Sequence, residues 1–312
     1  MSISKPIFFT AVISFFLVWF IGHPVNWLTL YPDYWHAPMT MLFGSFVAGS
    51  TPLGGGAVSF PVFSKLLEVT AYEARSFGFL IQSIGMSFAT LLFICWKVQI
   101  NWRQVFWACV GSSIGVCFGL AVFSYSDSMI KLAFSLFALL SGLLLVSGQG
   151  RNKAQIMRDS AQSLFIVGLI GGLLSSQIGA GADTILFFFL VLFARQEEKI
   201  SIPSSVAVMA FTALVGSIAT YVLHPEFITP FVINSWLTAA PIVAIGAPLG
   251  GWVMSRLSKR PLIIFIKVVL LLEASSTLLF VQLPLAASIM LASLIGIAVI
   301  LLIRLLVSTS VD

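Results

Sequence analysis

Long apolar runs dominate the pattern of hydrophobic and polar positions along this chain. Eight of these runs approach the roughly 20 residues that a helix needs to cross a bilayer. They cover residues 7–22, 76–96, 104–124, 129–148, 203–223, 234–254, 261–281 and 285–305. The pattern therefore predicts an all-α polytopic membrane protein with about eight transmembrane helices.

Glycines interrupt two further apolar regions near their middle. Residues 39–67 contain PLGGG at 52–56, and residues 162–194 contain SSQIGAGAD at 175–183. Glycine and proline are poor residues for a helix interior. Each region is therefore either one long broken span or a hairpin that enters the membrane and turns back.

The charges of the loops favour two hairpins. Short cytoplasmic loops carry an excess of Lys and Arg, and the loops 149–160 and 255–261 are both strongly basic. Two clear spans already separate these loops, so 162–194 must cross the membrane either twice or not at all. The same count makes 39–67 a hairpin that enters from outside and places both termini in the cytoplasm.

This topology predicts two repeats of opposite orientation, each with one hairpin followed by three spans. Short similarities recur in the same order in both halves: GGG with GAG, MSFAT with GSIAT, and GSSIG with GAPLG. The predicted parts are an extra N-terminal helix with an external segment at 1–38, a first repeat at 39–148, a cytoplasmic linker at 149–161, a second repeat at 162–281 and a C-terminal helix at 282–312. Broken helices within inverted repeats are typical of secondary transporters.

Three features of the sequence are similar to the TauE/SafE family of sulfite exporters and probable anion permeases. They are the glycine triplet followed by Pro61, its echo in the second half, and the span with GxxxG spacing after each. The resemblance covers about residues 39–281. It implies a carrier, without an ATPase subunit, for sulfite, sulfonates, sulfoacetate-like compounds or other organic anions. The second motif departs from the first: Ala180 interrupts the glycines, Asp183 follows, and Leu186 stands where Pro61 stands.

We expect the anion to bind where the two glycine turns meet near the middle of the membrane. A half-helix begins after each turn, and its free N–H groups and positive dipole end favour an anion. Buried polar side chains beside the turns are further candidates, with hydrogen bonding between helices as their alternative role. The candidate substrate-binding residues are Thr51, Gly54, Gly55, Gly56, Gln82, Ser176, Gln177, Gly179 and Gly181. In 111–119 and 246–251, glycine at every fourth position predicts close helix packing instead.

Asp183 and Glu273 are the acids that lie away from loop charges. Burial disfavours a charged carboxylate, so either could hold a proton at neutral pH. We therefore consider both as candidate sites for a coupling proton or sodium ion. In the alternative interpretation Asp183 caps a half-helix and Glu273 hydrogen-bonds a neighbouring helix.

Composition and the positions of the histidines limit the classes of function that remain. The chain is 59% hydrophobic and only 9% charged, whereas soluble domains carry about 25% charged residues. This composition predicts contact with the lipid bilayer. The basic residues are scattered over short loops, as expected of orientation signals, which predicts no contact with nucleic acid. His23, His36 and His224 share no ligand spacing, so we predict no metal site, no cofactor and no intramembrane enzyme. An anion channel and a homodimer stay open as alternatives, and no GxxxxGK[ST] loop for ATP is present.

Overall fold

A computed structural model describes residues 4–22, 27–133, 136–137 and 160–257, together with isolated positions between 261 and 296. Every regular element in these ranges is helical. Three predicted spans, 129–148, 261–281 and 285–305, lie largely or wholly outside the described residues, and so does Glu273.

Nine helices form the framework of the described part of the chain. They are α1 (Ser4–Gly22), α2 (His36–Ser50), α3 (Gly56–Pro61), α4 (Ala71–Cys95), α5 (Trp102–Val122), α6 (Ala161–Ile178), α7 (Ala182–Phe188), α8 (Glu198–Leu223) and α9 (Pro230–Arg256). A π-helical turn extends α3 through Val62–Leu66 and α7 through Phe189–Phe193. Short helical turns at Trp27–Leu30 and Tyr31–Tyr34 precede α2, and another lies at Pro225–Phe227 before α9.

Six of these helices are long and apolar enough to cross a membrane: α1, α4, α5, α6, α8 and α9. The prediction of an all-helical, multi-pass membrane protein is therefore confirmed. The total of eight spans stays a prediction. Helix α6 belongs to this group although the sequence predicts it as one arm of a hairpin.

Capping residues set the start of α4 earlier than hydrophobicity alone predicts. The Thr70 hydroxyl accepts a hydrogen bond from the Glu73 N–H at 3.2 Å, and the same hydroxyl donates to the Glu73 carboxylate at 2.8 Å. A Thr followed three residues later by Glu is the signature of a helix N-terminus. As a result α4 begins at Ala71 rather than at residue 76, and Arg75 lies inside the helix.

Both glycine-rich regions consist of two helices separated at the glycines. A first turn, Thr51–Gly55, separates α2 from α3, and a second turn, Gly179–Gly181, separates α6 from α7. Gly54 has φ of 66° and Gly179 has φ of 72°. Side chains are disfavoured in this left-handed region, which explains glycine at these two positions. That the two helix pairs are re-entrant hairpins stays a prediction.

The helix contacts fall into matching pairs when α2–α5 is compared with α6–α9. Helix α5 packs along α6 as α9 packs along α2, while α4 contacts α9 as α8 contacts α5. Helices α4 and α8 occupy corresponding places in the two sets, and they contact each other. This is the pattern of contacts expected of two repeats related by a twofold axis.

Glycines allow the closest of these helix contacts. A methyl group at Gly115 of α5 would overlap the Leu169 carbonyl of α6, and one at Gly250 of α9 would overlap the Phe46 carbonyl of α2. Small residues of this kind let helix backbones approach closely in membranes. The GSSIG and GAPLG motifs therefore occupy corresponding helix interfaces in the two halves.

Candidate functional site

The two glycine turns contact each other directly. A methyl group at Gly56 would overlap the Ala180 side chain, so the start of α3 lies against the second turn. The Thr184 hydroxyl donates a hydrogen bond to the Pro52 carbonyl at 2.7 Å, which joins α7 to the first turn. We call these residues, 51–56 and 179–184, the junction.

Gln82 lies between the two turns, near the middle of α4. Its side chain is 2% exposed, and its Nε2 donates to the Gly179 carbonyl at 2.6 Å and the Gly78 carbonyl at 3.1 Å. Because both of these neighbours are acceptors, the amide orientation is determined by its partners. Oε1 then points to Gly54 and has no hydrogen-bond partner among the described residues.

Asp183 is completely buried at the start of α7. Its Oδ1 accepts a hydrogen bond from the Thr184 N–H at 2.8 Å, while Oδ2 has no partner in the described part of the chain. A Cβ at Gly54 would lie 3.0 Å from this Oδ2 and would also contact Gln82 Oε1. Two buried acceptor oxygens therefore converge beside Gly54 without a described donor between them.

Hydroxyl side chains close both turns. The Thr51 hydroxyl donates to the Val47 carbonyl at 2.8 Å and accepts from the Leu53 N–H at 3.3 Å, at the end of α2. In the second turn the Ser175 hydroxyl accepts a hydrogen bond from the Ala182 N–H at 3.0 Å. The contacts of Thr51 therefore lie within its own turn.

Ser176 and Gln177 face the interface between α5 and α6. The Ser176 hydroxyl donates to the Leu173 carbonyl at 2.6 Å and accepts from Gln177 Nε2 at 2.9 Å. The same Nε2 lies 3.4 Å from the Gly119 carbonyl of α5. These two predicted site residues thus direct their side chains towards α5 rather than towards the first turn.

The two turns differ in the space beside them. Gly55 lines a small cavity of about 10 Å³ together with Gln82, Ser45 and apolar residues of α2, α4 and α9. A cavity of this size holds about one water molecule, and the buried Ser45 hydroxyl has no partner among the described residues. Gly181 instead faces its own hairpin, where a Cβ would come within 2.8 Å of Leu174.

Arg75 is a buried residue of the site that the sequence analysis missed. It is 1% exposed, and its Nη1 donates to the Ser176 carbonyl at 2.9 Å, just before the second turn. Nε and Nη2 have no hydrogen-bond partner within the described residues. The guanidinium carbon lies 5.0 Å from the Tyr72 ring centre and 5.6 Å from that of Phe227.

A signal for Arg75 is present in the sequence. The hydrophobic pattern begins the predicted span at residue 76 and so leaves Arg75 in the loop before it. The Thr70-to-Glu73 spacing instead starts the helix before Arg75 and so carries it into the bundle. No comparable local signal marks Thr184 or Ala180, whose contacts depend on how the two turns meet.

A family model described as "Sulfite exporter TauE/SafE" matches residues 37–277 of the chain. The match contains both glycine turns together with Arg75, Gln82 and Asp183, and it leaves α1 outside. Neither the curated proteins nor the solved structures contain a match to the chain.

Proposed function

Because the chain belongs to the TauE/SafE sulfite exporter family, we propose that it is a secondary transporter for a small sulfur-containing or organic anion. Sulfite, sulfonates and sulfoacetate-like compounds are the substrates that we propose to test first. The proposed location is a bacterial-type cytoplasmic membrane, with both chain termini in the cytoplasm. Six apolar helices of sufficient length support a multi-pass protein.

We propose that residues 39–148 and 162–281 are inverted repeats whose hairpins meet at the junction. The matched contacts of α5 with α6 and of α9 with α2 support this division. So do the corresponding positions of Gly115 and Gly250 in those interfaces. Alternating access in such transporters involves movement of one repeat against the other around a shared site.

The direct contact of the two glycine turns beside Gln82 is the observation that carries the proposed anion site. Non-helical backbone is tolerated at membrane depth where it lines a cavity or is buried in protein. Helix α3 begins at Gly56, and its N-cap residue, Gly55, provides no side-chain cap. These N–H groups and the dipole of the half-helix favour a negative charge at the first turn.

We propose that coupling occurs at Asp183. Its Oδ2 and the Gln82 Oε1 are both acceptors, so they attract each other only if something positive lies between them. A proton on Asp183 would let its O–H donate to Gln82, and a sodium ion would bind both oxygens. In either case Asp183 is no longer an isolated buried negative charge, which would be costly in free energy.

Transport in proteoliposomes tests both parts of this proposal. Purified protein should give saturable uptake of labelled sulfite, and an imposed pH or sodium gradient should drive accumulation. Asp183→Asn keeps the shape of the side chain but removes its titration, so exchange of sulfite should persist while gradient-driven accumulation is lost. Glu226→Gln is the control, since this acid is exposed outside the junction.

The outcomes separate the alternatives. If Asp183→Asn responds to both gradients as the wild type does, Asp183 is not the coupling site. Flux that does not saturate would favour a channel. No flux of sulfite, sulfonates or carboxylates in the wild type would contradict the carrier proposal itself.

A further inference from the structure

Arg75 carries a buried positive charge that no described carboxylate contacts directly; the exposed Glu226 acts on this charge only from a distance. No described acid lies within 4.0 Å of its guanidinium, and one hydrogen bond, to the Ser176 carbonyl, satisfies only one of its three nitrogens. Removing an unpaired charge from water is costly. An anion that arrived beside Arg75 would supply both the missing charge and the missing acceptors.

Three acids at this end of the bundle have other contacts. The partners are Thr229 for Glu73, Lys131 for Asp127 and His224 for Glu226. Glu226 is the most exposed of these three acids, with 59% of its side chain accessible to solvent. The guanidinium is therefore available to a diffusible anion rather than committed to a fixed partner.

The two free nitrogens define the shape of the anion. Nε–H and one N–H of Nη2 lie along the same edge of the planar guanidinium and point in the same direction. This edge matches two oxygens bound to one central atom, as in sulfite, a sulfonate or a carboxylate. A spherical chloride ion cannot accept both bonds with equally good geometry.

We propose that Arg75 binds the transported oxyanion through its Nε–Nη2 edge. Arg75 and Gln82 are two turns apart on one face of α4, about 10 Å along the helix. Arg75 donates to the end of α6 just before the second turn, and Gln82 donates to the second turn itself. Arg75 therefore forms a second binding position between the junction and the end of the bundle where α4 begins. This inference rests on the carrier function proposed above, because it requires an anion to pass this point.

Aromatic rings shield the proposed binding position from water. Tyr72 and Phe227 stack on each other with ring centres 4.6 Å apart, and both pack against the guanidinium. Charged hydrogen bonds gain strength where water is excluded.

A purely structural role for Arg75 is the rival explanation. Cationic side chains stabilise the C-terminal end of a helix by bonding its last carbonyls, and the Ser176 carbonyl lies near the end of α6. Arg75→Lys distinguishes the two roles. Lysine keeps the positive charge and a donor for Ser176, but it lacks the side-by-side pair of N–H groups.

The test measures binding of sulfite and of chloride to purified Arg75→Lys, wild type and Arg256→Lys. Arg256 is an exposed arginine stacked on Trp252 at 4.0 Å, which makes it a matched control. We expect Arg75→Lys to weaken sulfite binding on the order of ten- to a hundredfold, as for loss of a charged hydrogen bond. Chloride binding and the melting temperature without ligand should stay close to the wild-type values, and Arg256→Lys should change neither affinity.

Either of two results would contradict the proposed role of Arg75 without contradicting the carrier proposal. One is sulfite affinity in Arg75→Lys equal to that of the wild type, with wild-type transport intact. The other is an equal loss of sulfite and chloride binding, which would assign the effect to charge rather than to the paired donors. Failure of the wild type to bind or transport any oxyanion would instead reject the carrier proposal and this inference with it.

Discussion

The first glycine turn contains no charged side chain, whereas Asp183 lies two residues after the second turn, at the start of α7. The N-cap residues of α3 and α7 are Gly55 and Gly181, and neither provides a side-chain cap. After the second turn, the Ser175 hydroxyl and the Asp183 carboxylate accept hydrogen bonds from the first N–H groups of α7. The second turn thus satisfies its own helix end, while the first leaves its positive end open.

This difference assigns different chemistry to two turns of similar shape. Because Ser175 and Asp183 already bond the first N–H groups of α7, we propose that the substrate binds at the first turn. The unpartnered Oδ2 of Asp183 suits a proton or a metal cation instead. Gln82 contacts both turns, so a ligand at either turn would lie beside its side chain.

Substituting one glycine in each turn should produce the largest effects and should separate the turns. Gly55→Leu places a side chain towards Met41 and Gln82, beside the small cavity, and should lower transport about tenfold or more while the protein stays folded. Gly181 has φ of 121° and faces Leu174, so Gly181→Leu should destabilise the fold by about 2 kcal/mol or more. Transport assays and thermal unfolding in detergent measure the two effects.

Gly22→Ala is the control for these substitutions, because its Cβ would contact only Val18 at 3.8 Å. Normal transport by Gly55→Leu would remove the first turn from the substrate site. A stable and inactive Gly181→Leu would mean that the second turn also meets the substrate, and the proposed division between the turns would fail.

Removing the link between the turns should have the next largest effect. Gln82→Leu leaves the buried Gly179 carbonyl without its 2.6 Å hydrogen bond, at a cost of about 1–3 kcal/mol. It also deletes the acceptor that faces Asp183. We expect a lower unfolding temperature and weaker coupling to the imposed gradient, and a variant that matches the wild type in both would show that Gln82 does not connect the turns.

The smallest difference between the two halves should appear at their corresponding glycines. Gly115→Ala and Gly250→Ala each force a methyl group against a helix carbonyl, and overpacking of this kind costs about 1–3 kcal/mol. Because the two interfaces correspond, the losses measured by thermal unfolding should agree within about 1 kcal/mol. A large loss for one variant and none for the other would argue against the inverted repeat.

The sequence predicted the features of the fold that depend on local pattern. Runs of apolar residues located α1, α4, α5, α8 and α9, and glycines with proline located both helix breaks. These signals are local because a span needs a minimum length and a break needs residues that tolerate unusual backbone angles. Hydrophobicity alone predicts that α4 begins at residue 76, whereas the Thr70–Glu73 cap starts it at Ala71.

The candidate site could be predicted only in part. Gly54, Gly56, Gln82, Gly179 and Asp183 lie together at the junction. Ser176 and Gln177 turn towards α5, a direction that depends on how α5 and α6 pack. The sequence analysis missed Arg75 because loop charges indicate only on which side of the membrane a loop lies. Whether a charged side chain is buried depends on tertiary contacts.

The central claim is that the first turn binds the anion while the second carries the coupling cation. Sulfite binding to purified Gly55→Leu and Asp183→Asn, measured side by side by calorimetry at one pH, tests it most directly. We predict that Gly55→Leu loses sulfite affinity by about tenfold or more and that Asp183→Asn keeps it within about threefold. The opposite pattern, with binding lost in Asp183→Asn and retained in Gly55→Leu, would contradict the account.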